Sequence, residues 1–153
     1  MTITILTHDP RWKGLLPTVK RAAEAALVKQ RIKKSALTIL LTNDAEIKAL
    51  NHQYRCKNKP TNVLSFPDGS EEIGAGGKPV KYLGDVVLAY ETIAREAGAQ
   101  NKTLKAHLAH LTIHGVLHLL GYDHEVEKEA KAMESLEIAI LARMGIANPY
   151  ESA

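Results

Sequence analysis

Cysteine, aromatic residues and long apolar runs are scarce in this sequence. Of its 153 residues one is cysteine, one is tryptophan and one is phenylalanine, and aromatic residues make up 5%. The single cysteine, Cys56, cannot form an intramolecular disulfide, so nothing requires an oxidising compartment. No apolar run approaches the roughly 20 residues of a membrane-spanning helix. These absences exclude a disulfide scaffold and an integral membrane protein.

The first residues carry no pattern typical of export. Residues 1–6 alternate threonine with isoleucine and lack the basic stretch and apolar core of a secretory signal, so we expect a cytoplasmic protein. Hydrophobic residues, at 45%, are too frequent for a disordered chain. A chain of this length can bury roughly 70% of its unfolded surface around one core. We therefore expect a single domain over residues 1–153.

The net charge of +3 conceals two halves of opposite sign. Residues 1–60 contain 12 Lys and Arg against 4 Asp and Glu, whereas residues 61–153 contain 8 against 13. A basic half suits a polyanion such as RNA, because neutralised phosphates release their counterions. The alternative, which charge alone favours, is that these cations only form the solvated face of a helix and its exit. The cations of this predicted helix and its exit are Lys20, Arg21, Lys29, Arg31, Lys33 and Lys34.

Periodicity and capping residues predict strands that alternate with helices. Strands are expected at residues 1–6, 36–41, 63–66 and 83–89. The first helix is expected to end at about residue 30 and to begin at Asp9-Pro10 or, because Pro17 falls inside that stretch, nearer residue 16. Further helices are expected at about residues 43–52, 91–97, 103–120 and 127–144. Residues 68–80, rich in glycine and acidic side chains, are predicted to form a mobile loop. Because helices dominate the second half, the fold class is α/β or α+β.

Three histidines lie within the eleven residues HGVLHLLGYDH. His114 and His118 are four residues apart, so on a helix their imidazoles share one face, about 6 Å apart along the axis, and can reach one ion. Gly121 can adopt the left-handed conformation that ends a helix, which would let the chain bring His124 to the same point. Three imidazoles suit Zn²⁺ and leave the fourth tetrahedral position open, as in catalytic sites. The spacing therefore predicts an open zinc site.

The neighbours of these histidines leave several alternatives. His110 lies one turn earlier on the same stripe and competes as a ligand, but we expect it to pack beside the ligands or support them. Gly115 stands where zinc proteases carry their general-base glutamate, which disfavours a peptidase. A glycine in a helix interior costs roughly 1 kcal/mol relative to alanine, so either substrate or a packed element needs the space. Asp123 either orients a ligand or caps the turn.

A second group of functional residue types lies upstream, in the stretch LNHQYRCKNKPTNVLSFP. Arg55 offers a planar guanidinium that can bind phosphate through two hydrogen bonds, and Lys57 and Lys59 add point charges. Tyr54 could stack on an unpaired base. Each has a structural alternative: an ion pair for Arg55, a core position for Tyr54 and simple solvation for the lysines. Cys56 is expected to be a small buried hydrophobe rather than a reactive thiol.

Taken together, these motifs resemble the YbeY family, which comprises bacterial metal-dependent endoribonucleases also called ribosomal RNA maturation factors. The resemblance covers residues 1–150, and the three-histidine motif shows no departure from the family pattern. The matching segments are HGVLHLLGYDH, LNHQYR, KPTNVLSFP, Leu83-Gly84-Asp85, MESLEIAIL and GIANPY.

The resemblance implies an α+β domain in which a small, mostly parallel four-stranded sheet packs with about five helices. It also implies one zinc ion per chain, held in a cleft by His114, His118 and His124, with Arg55 facing that cleft. There Arg55 would bind RNA phosphate and stabilise the charged transition state. The expected catalytic residues are thus Arg55 and His114, and the expected RNA-binding residues are Arg55, Lys57 and Lys59.

The implied function is cleavage of single-stranded RNA, with parts in maturing the 3′ end of small-subunit ribosomal RNA and in ribosome quality control. The implied partner is the ribosome or a small-subunit protein. The rival interpretation is a non-catalytic ribosome-assembly or RNA-binding factor with a structural zinc, which three protein ligands rather than four disfavour. At this point the attacking group, water or the RNA's own 2′-hydroxyl, stays open.

Overall fold

Five α-helices and five strands follow one another in the computed structural model, which describes residues 1–123 and 125–151. The strands are β1 (Thr2–Thr7), β2 (Ser35–Thr42), β3 (Val63–Pro67), β4 (Glu71–Ile73) and β5 (Pro79–Ala89). The helices are α1 (Leu16–Lys29), α2 (Asp44–Arg55), α3 (Tyr90–Ala99), α4 (Leu104–Leu119) and α5 (Glu127–Arg143). A short 3₁₀ turn, Pro10–Trp12, precedes α1.

All five strands belong to one sheet with the order β1-β2-β5-β3, and β4 pairs with the first part of β5. Strands β1, β2 and β5 run parallel, whereas β3 and β4 run antiparallel to β5. This is the expected α+β class with a mainly parallel sheet and five helices. The strand number differs from the expected four because β4 is an additional strand.

The additional strand lies in the segment that the sequence predicted to be a mobile loop. Residues 71–73 pair with Lys81, Val80 and Pro79 and thereby extend β5 well before the predicted start at residue 83. All three residues of β4 are exposed, so no side faces the core. A strand without a buried face shows no alternation of apolar and polar residues, which is why the pattern did not reveal it.

Helix α4 occupies the centre of the molecule. It packs against α1, α3 and α5 and against the sheet at β3 and β5. Most of its residues are buried, among them Leu108, Ile113 and Leu117. Because this helix is enclosed on several sides, the histidines in its second half are fixed against both the sheet and α5.

Gly115 marks the closest approach of α4 to the sheet. A Cβ atom at this position would lie 2.6 Å from Cγ1 of Val86 and 3.2 Å from Cγ2 of Val63. The hydroxyl of Ser65 donates a hydrogen bond of 2.9 Å to the Gly115 carbonyl. Of the two explanations left open by the sequence, the structure therefore supports helix–sheet packing, and this contact sets the depth of the neighbouring His114.

Candidate metal centre

His114 and His118 converge on one face of α4. The side chain of Thr103 caps the helix by accepting a hydrogen bond from the Ala106 amide, and the helix then runs unbroken to Leu119. The Nε2 atoms of His114 and His118 lie 3.1 Å apart. Two ring nitrogens at this separation either share a proton or both direct lone pairs towards one cation. The predicted pair is thus brought together.

Gly121 ends α4 as predicted. Its φ is +100°, in the region that favours glycine. The Gly121 amide donates to the His118 carbonyl at 3.0 Å and the Tyr122 amide donates to Leu117 at 3.1 Å, the two hydrogen bonds of a Schellman motif. The chain therefore turns back beside His118. The third predicted ligand, His124, lies outside the described residues.

A carboxylate that the sequence analysis did not single out supports the histidine pair. Glu137 of α5 is completely buried, and its Oε2 lies 2.9 Å from Nδ1 of His114 and 2.9 Å from Nε2 of His110. The hydroxyl of Tyr150 donates to the other oxygen, Oε1, at 2.5 Å. The sequence contains a weak indication of this role. Glu137 follows the buried Met133 by four residues on α5, so it is an acidic residue at a core position.

The electrostatics of this cluster favour an ionised Glu137. Burial alone would raise its pKa, but the hydrogen bonds from His110 and His114 outweigh burial and lower the pKa to about 2. Burial and the hydrogen bond to Glu137 raise the pKa of Tyr150, so the phenol stays protonated. A carboxylate accepts hydrogen bonds only, so Nδ1 of His114 carries the proton. Nε2 of His114 is then the nitrogen that can bind a metal.

His110 takes a supporting position rather than that of a ligand. Its Nε2 faces Glu137 and lies 3.2 Å from the Tyr150 hydroxyl. Its side chain is nearly buried. Because its Nε2 is directed to the carboxylate, His110 helps to hold Glu137 in place behind His114. This agrees with the packing or supporting role expected from the sequence.

A cleft of about 530 Å³ opens in front of the histidine pair. His114, His118 and the turn after α4 form one side, and Arg55 with residues from the loop and strand that follow α2 also line it. Asn43 caps α2 by accepting from the Glu46 amide at 2.9 Å, and Arg55 is its last residue. Within residues 1–123 and 125–151 no carboxylate lies within 4 Å of the Arg55 guanidinium. The structural alternative of an ion pair is therefore not observed.

The two predicted RNA-binding lysines lie apart from this cleft. Lys57 and Lys59 are exposed on the loop after α2 and do not line the cleft, while Asn51 fixes the loop by donating to the Lys59 carbonyl at 2.9 Å. Tyr54 is 61% exposed and meets Phe66 edge-on, with 5.3 Å between ring centroids. Tyr54 is therefore not in the core. An RNA-binding role for the two lysines stays a prediction.

Cys56 is exposed, so the expectation of a buried hydrophobe was wrong. Its φ of +57° makes it the left-handed residue that ends α2, with its amide hydrogen-bonded to the His52 carbonyl. Cys56 therefore ends the helix through its backbone and does not pack its side chain in the core. The same termination leaves Arg55 at the mouth of the cleft.

The described residues fit a zinc ion. Two imidazole nitrogens converge, and one imidazole is backed by a carboxylate, an arrangement common at zinc sites. In the part of the chain that the structure describes, no group of three or more His, Cys, Asp or Glu is placed to hold a metal. His124, the third predicted ligand, lies outside that part, so the three-histidine site stays a prediction. Asp123 lines the cleft, and its Oδ1 accepts from the Glu125 amide at 3.3 Å in the manner of a turn cap.

Among the described residues, none of the helices combines the length and apolarity needed to cross a membrane.

The family model and the curated relatives that match this chain carry the same description. A family model described as Endoribonuclease YbeY matches residues 7–145. An Endoribonuclease YbeY from Parvibaculum lavamentivorans is 53% identical over 159 residues, covering 98% of this chain and 85% of the relative. Another from Azorhizobium caulinodans is 45% identical over 156 residues, covering 98% and 96%. The solution structure of a Thermotoga maritima protein matches with a TM-score of 0.60 and 29% identity, covering 94% of this chain and 91% of that one.

Proposed function

Because this chain belongs to the Endoribonuclease YbeY family, we propose that it is a zinc-dependent endoribonuclease that cleaves single-stranded RNA in the cleft beside α4. The proposal rests on one observation: two histidines that can bind a metal and one arginine that can bind phosphate line the same cleft. Nε2 of His114 and Nε2 of His118 lie 3.1 Å apart, and Arg55 lines the same cleft.

His114, His118 and His124 would hold one zinc ion per chain. When bound, zinc supplies a Lewis acid that stabilises negative charge on a phosphoryl oxygen. Ionised Glu137 keeps the proton of His114 on Nδ1 and so keeps Nε2 directed into the cleft. Glu137 thereby also fixes the orientation of the His114 ring.

Arg55 acts on the substrate. Its guanidinium can bind two oxygens of one phosphate and can stabilise the charge that develops as the phosphodiester is cleaved. It has no competing carboxylate within 4 Å in the described chain, so its donors are available to RNA. Lys57 and Lys59 would attract the strand towards the cleft through their charge, because they follow Arg55 on an exposed loop.

The resemblance of the motifs extends this proposal to the cellular role. We assign the enzyme to the cytoplasm, to maturation of the 3′ end of small-subunit ribosomal RNA and to ribosome quality control, with the ribosome or a small-subunit protein as partner. The competing candidate is a non-catalytic assembly factor with a structural zinc. A fourth protein ligand such as Cys56, His110 or Asp123 would favour this candidate. What supports the catalytic proposal is that Nε2 of His110 is directed to Glu137.

The test compares purified wild type with Arg55→Ala, and uses Arg21→Ala as a control because Arg21 is exposed and does not line the cleft. Zinc content is measured together with cleavage of end-labelled single-stranded and duplex RNA, with and without a chelator. We expect about one zinc in all three proteins, and cleavage of single strands by wild type and the control only.

Two outcomes would contradict the proposal. Equal cleavage by wild type and Arg55→Ala would remove Arg55 from the mechanism. Full zinc without any cleavage by wild type would favour the assembly factor. The product ends identify the attacking group, because a 2′,3′-cyclic phosphate forms only when the RNA's own 2′-hydroxyl attacks.

A further inference from the structure

A second groove, also of about 530 Å³, adjoins the metal cleft. It is formed by the exit from α1, the first part of β5 and the end of α4. Gly121 and Tyr122 line both the groove and the cleft, so the two share the turn that follows α4. The hydroxyl of Tyr122 donates to Oε1 of Gln30 at 2.9 Å and thereby ties this turn to the exit of α1. The turn is therefore a shared boundary of the cleft and the groove.

The charged residues that line the groove are all cations. They come from two distant parts of the chain, and the residues lining the groove include no Asp or Glu. The amide of Lys81 in β5 donates to the carbonyl of Lys34, the residue before β2, which places these two residues side by side. Glu71 is opposite Lys81 in the strand register, but within the described chain no ion pair forms between them. The four cations are Arg31, Lys33, Lys34 and Lys81.

Arg31 brings its cation to the groove from a backbone conformation that favours glycine. Arg31 has a φ of +56°. It is the left-handed residue of a Schellman motif, in which its amide bonds to Val28 and the next amide bonds to Leu27. Glycine is the residue that adopts this conformation without strain, so an arginine here is retained at a cost in stability.

The groove also holds an unsatisfied donor. Ser35 lines it and is 2% exposed, and its Oγ has no hydrogen-bond partner among the described residues. A buried hydroxyl without a partner is costly unless a ligand completes it. Cations without carboxylates, together with a hydroxyl donor, are typical of a site for phosphate groups.

We infer that this groove binds the sugar–phosphate backbone of the RNA strand beyond the scissile bond, as a continuation of the metal cleft. The inference rests on the proposed function, because it assumes an RNA strand in the cleft. Backbone contacts of this kind add affinity without sequence preference, and each contact adds to the salt dependence of binding. The groove therefore selects strands long enough to pass the turn at Gly121 and Tyr122.

The test uses two charge-matched double variants of the zinc-loaded enzyme. Lys33→Ala with Lys34→Ala removes two cations from the groove. Lys13→Ala with Lys20→Ala removes two exposed cations that do not line it. Steady-state cleavage is measured on a single-stranded RNA of about 12 nucleotides and on one of about 4, which is too short to occupy cleft and groove together.

For the longer RNA we expect the groove variant to raise KM about tenfold at unchanged kcat. The slope of log(kcat/KM) against log salt should become shallower by about 1.4, which is about 0.7 for each lost phosphate contact on a single strand. The control variant should stay within about twofold of wild type, and the shorter RNA should be cleaved alike by all three proteins.

Arg31→Gly supplies a variant whose effect cannot come from unfolding. It removes one cation and relieves the left-handed backbone, so its melting temperature should equal or exceed that of wild type. Its KM for the longer RNA should nevertheless rise about threefold.

The outcomes distinguish failure of the groove from failure of the proposed function. Equal effects of the groove and control variants on the longer RNA would overturn the groove, because only total charge would then matter. Equal effects on the longer and shorter RNA would also overturn it, because the cations would then act inside the cleft. Failure of wild type to cleave either RNA would instead overturn the proposed function.

Discussion

Replacing Glu137 with glutamine should weaken zinc binding although none of the predicted ligands is changed. In the wild type, Oε2 of Glu137 accepts hydrogen bonds from both His114 and His110, and Oε1 accepts from Tyr150. Glutamine has one carbonyl oxygen and one amide group in place of two acceptors. If its oxygen faces the histidines, the amide faces Tyr150, whose hydroxyl must then become an acceptor. If its amide faces them, His114 must move its proton to Nε2, the nitrogen needed by the metal.

The expected size follows from the loss of a charged partner behind a ligand. Changes of this kind weaken metal affinity about 10- to 100-fold, or about 1.4–2.8 kcal/mol. Glu137→Ala should do more, because it leaves the histidines and the phenol without their buried partner. Each buried donor left without its partner costs about 1–3 kcal/mol of folding stability.

The assay is competition for Zn²⁺ between the protein and a chelating indicator dye, accompanied by denaturant unfolding of the metal-free proteins. Glu129→Gln is the matched control, because Glu129 is exposed on the same helix. The reasoning would be refuted if Glu137→Gln and Glu137→Ala both bound zinc within about twofold of the control.

Two further predictions concern packing and titration. Gly115→Ala places a Cβ 2.6 Å from Val86, whereas at Gly98, in α3, nothing lies within 4 Å of the new atom. Both changes gain the same helix propensity, so the difference between their free energies of unfolding reports the contact with Val86. Gly115→Ala should be less stable than Gly98→Ala by about 1–3 kcal/mol. Equal values would contradict the packing contact. Burial lowers the pKa of His107 below 6.5, against the opposing effect of Glu96. Below pH 6.5 the unfolded chain therefore binds a proton at His107 more readily than the folded protein does, so metal-free wild type should lose stability as the pH falls. This loss should exceed that of His107→Gln by at most about 1.4 kcal/mol per pH unit. Parallel pH profiles from denaturant unfolding would show that His107 does not contribute.

The histidine motif was predictable because it depends on local geometry. Residues four apart on a helix share a face, and a glycine after the helix allows the chain to turn, so the sequence alone placed His114, His118 and Gly121 correctly relative to one another. The end of α4 and the close approach at Gly115 follow from the same local rules. For these features, no knowledge of distant parts of the chain was needed.

The supporting shell was not predictable in the same way, because it joins distant segments. Glu137 reaches His114 only when α5 packs on α4, and an acidic residue on an amphipathic helix is usually solvated. The groove beside the cleft joins the exit of α1 to Lys81, which precedes the strand expected at residues 83–89. Strand β4 lacked any alternation because it buries no face. Tertiary packing decides all three.

The proposed zinc-dependent site of RNA cleavage is the cleft of His114, His118 and Arg55. The most direct measurement removes metal from the purified protein, returns Zn²⁺ stepwise and follows cleavage of single-stranded RNA. His52→Ala is the control, since His52 is exposed on α2. We expect wild type and the control to regain activity in proportion to zinc up to about one per chain, and His118→Ala to stay inactive. Cleavage at the original rate by metal-free protein, or recovery by His118→Ala, would contradict the claim.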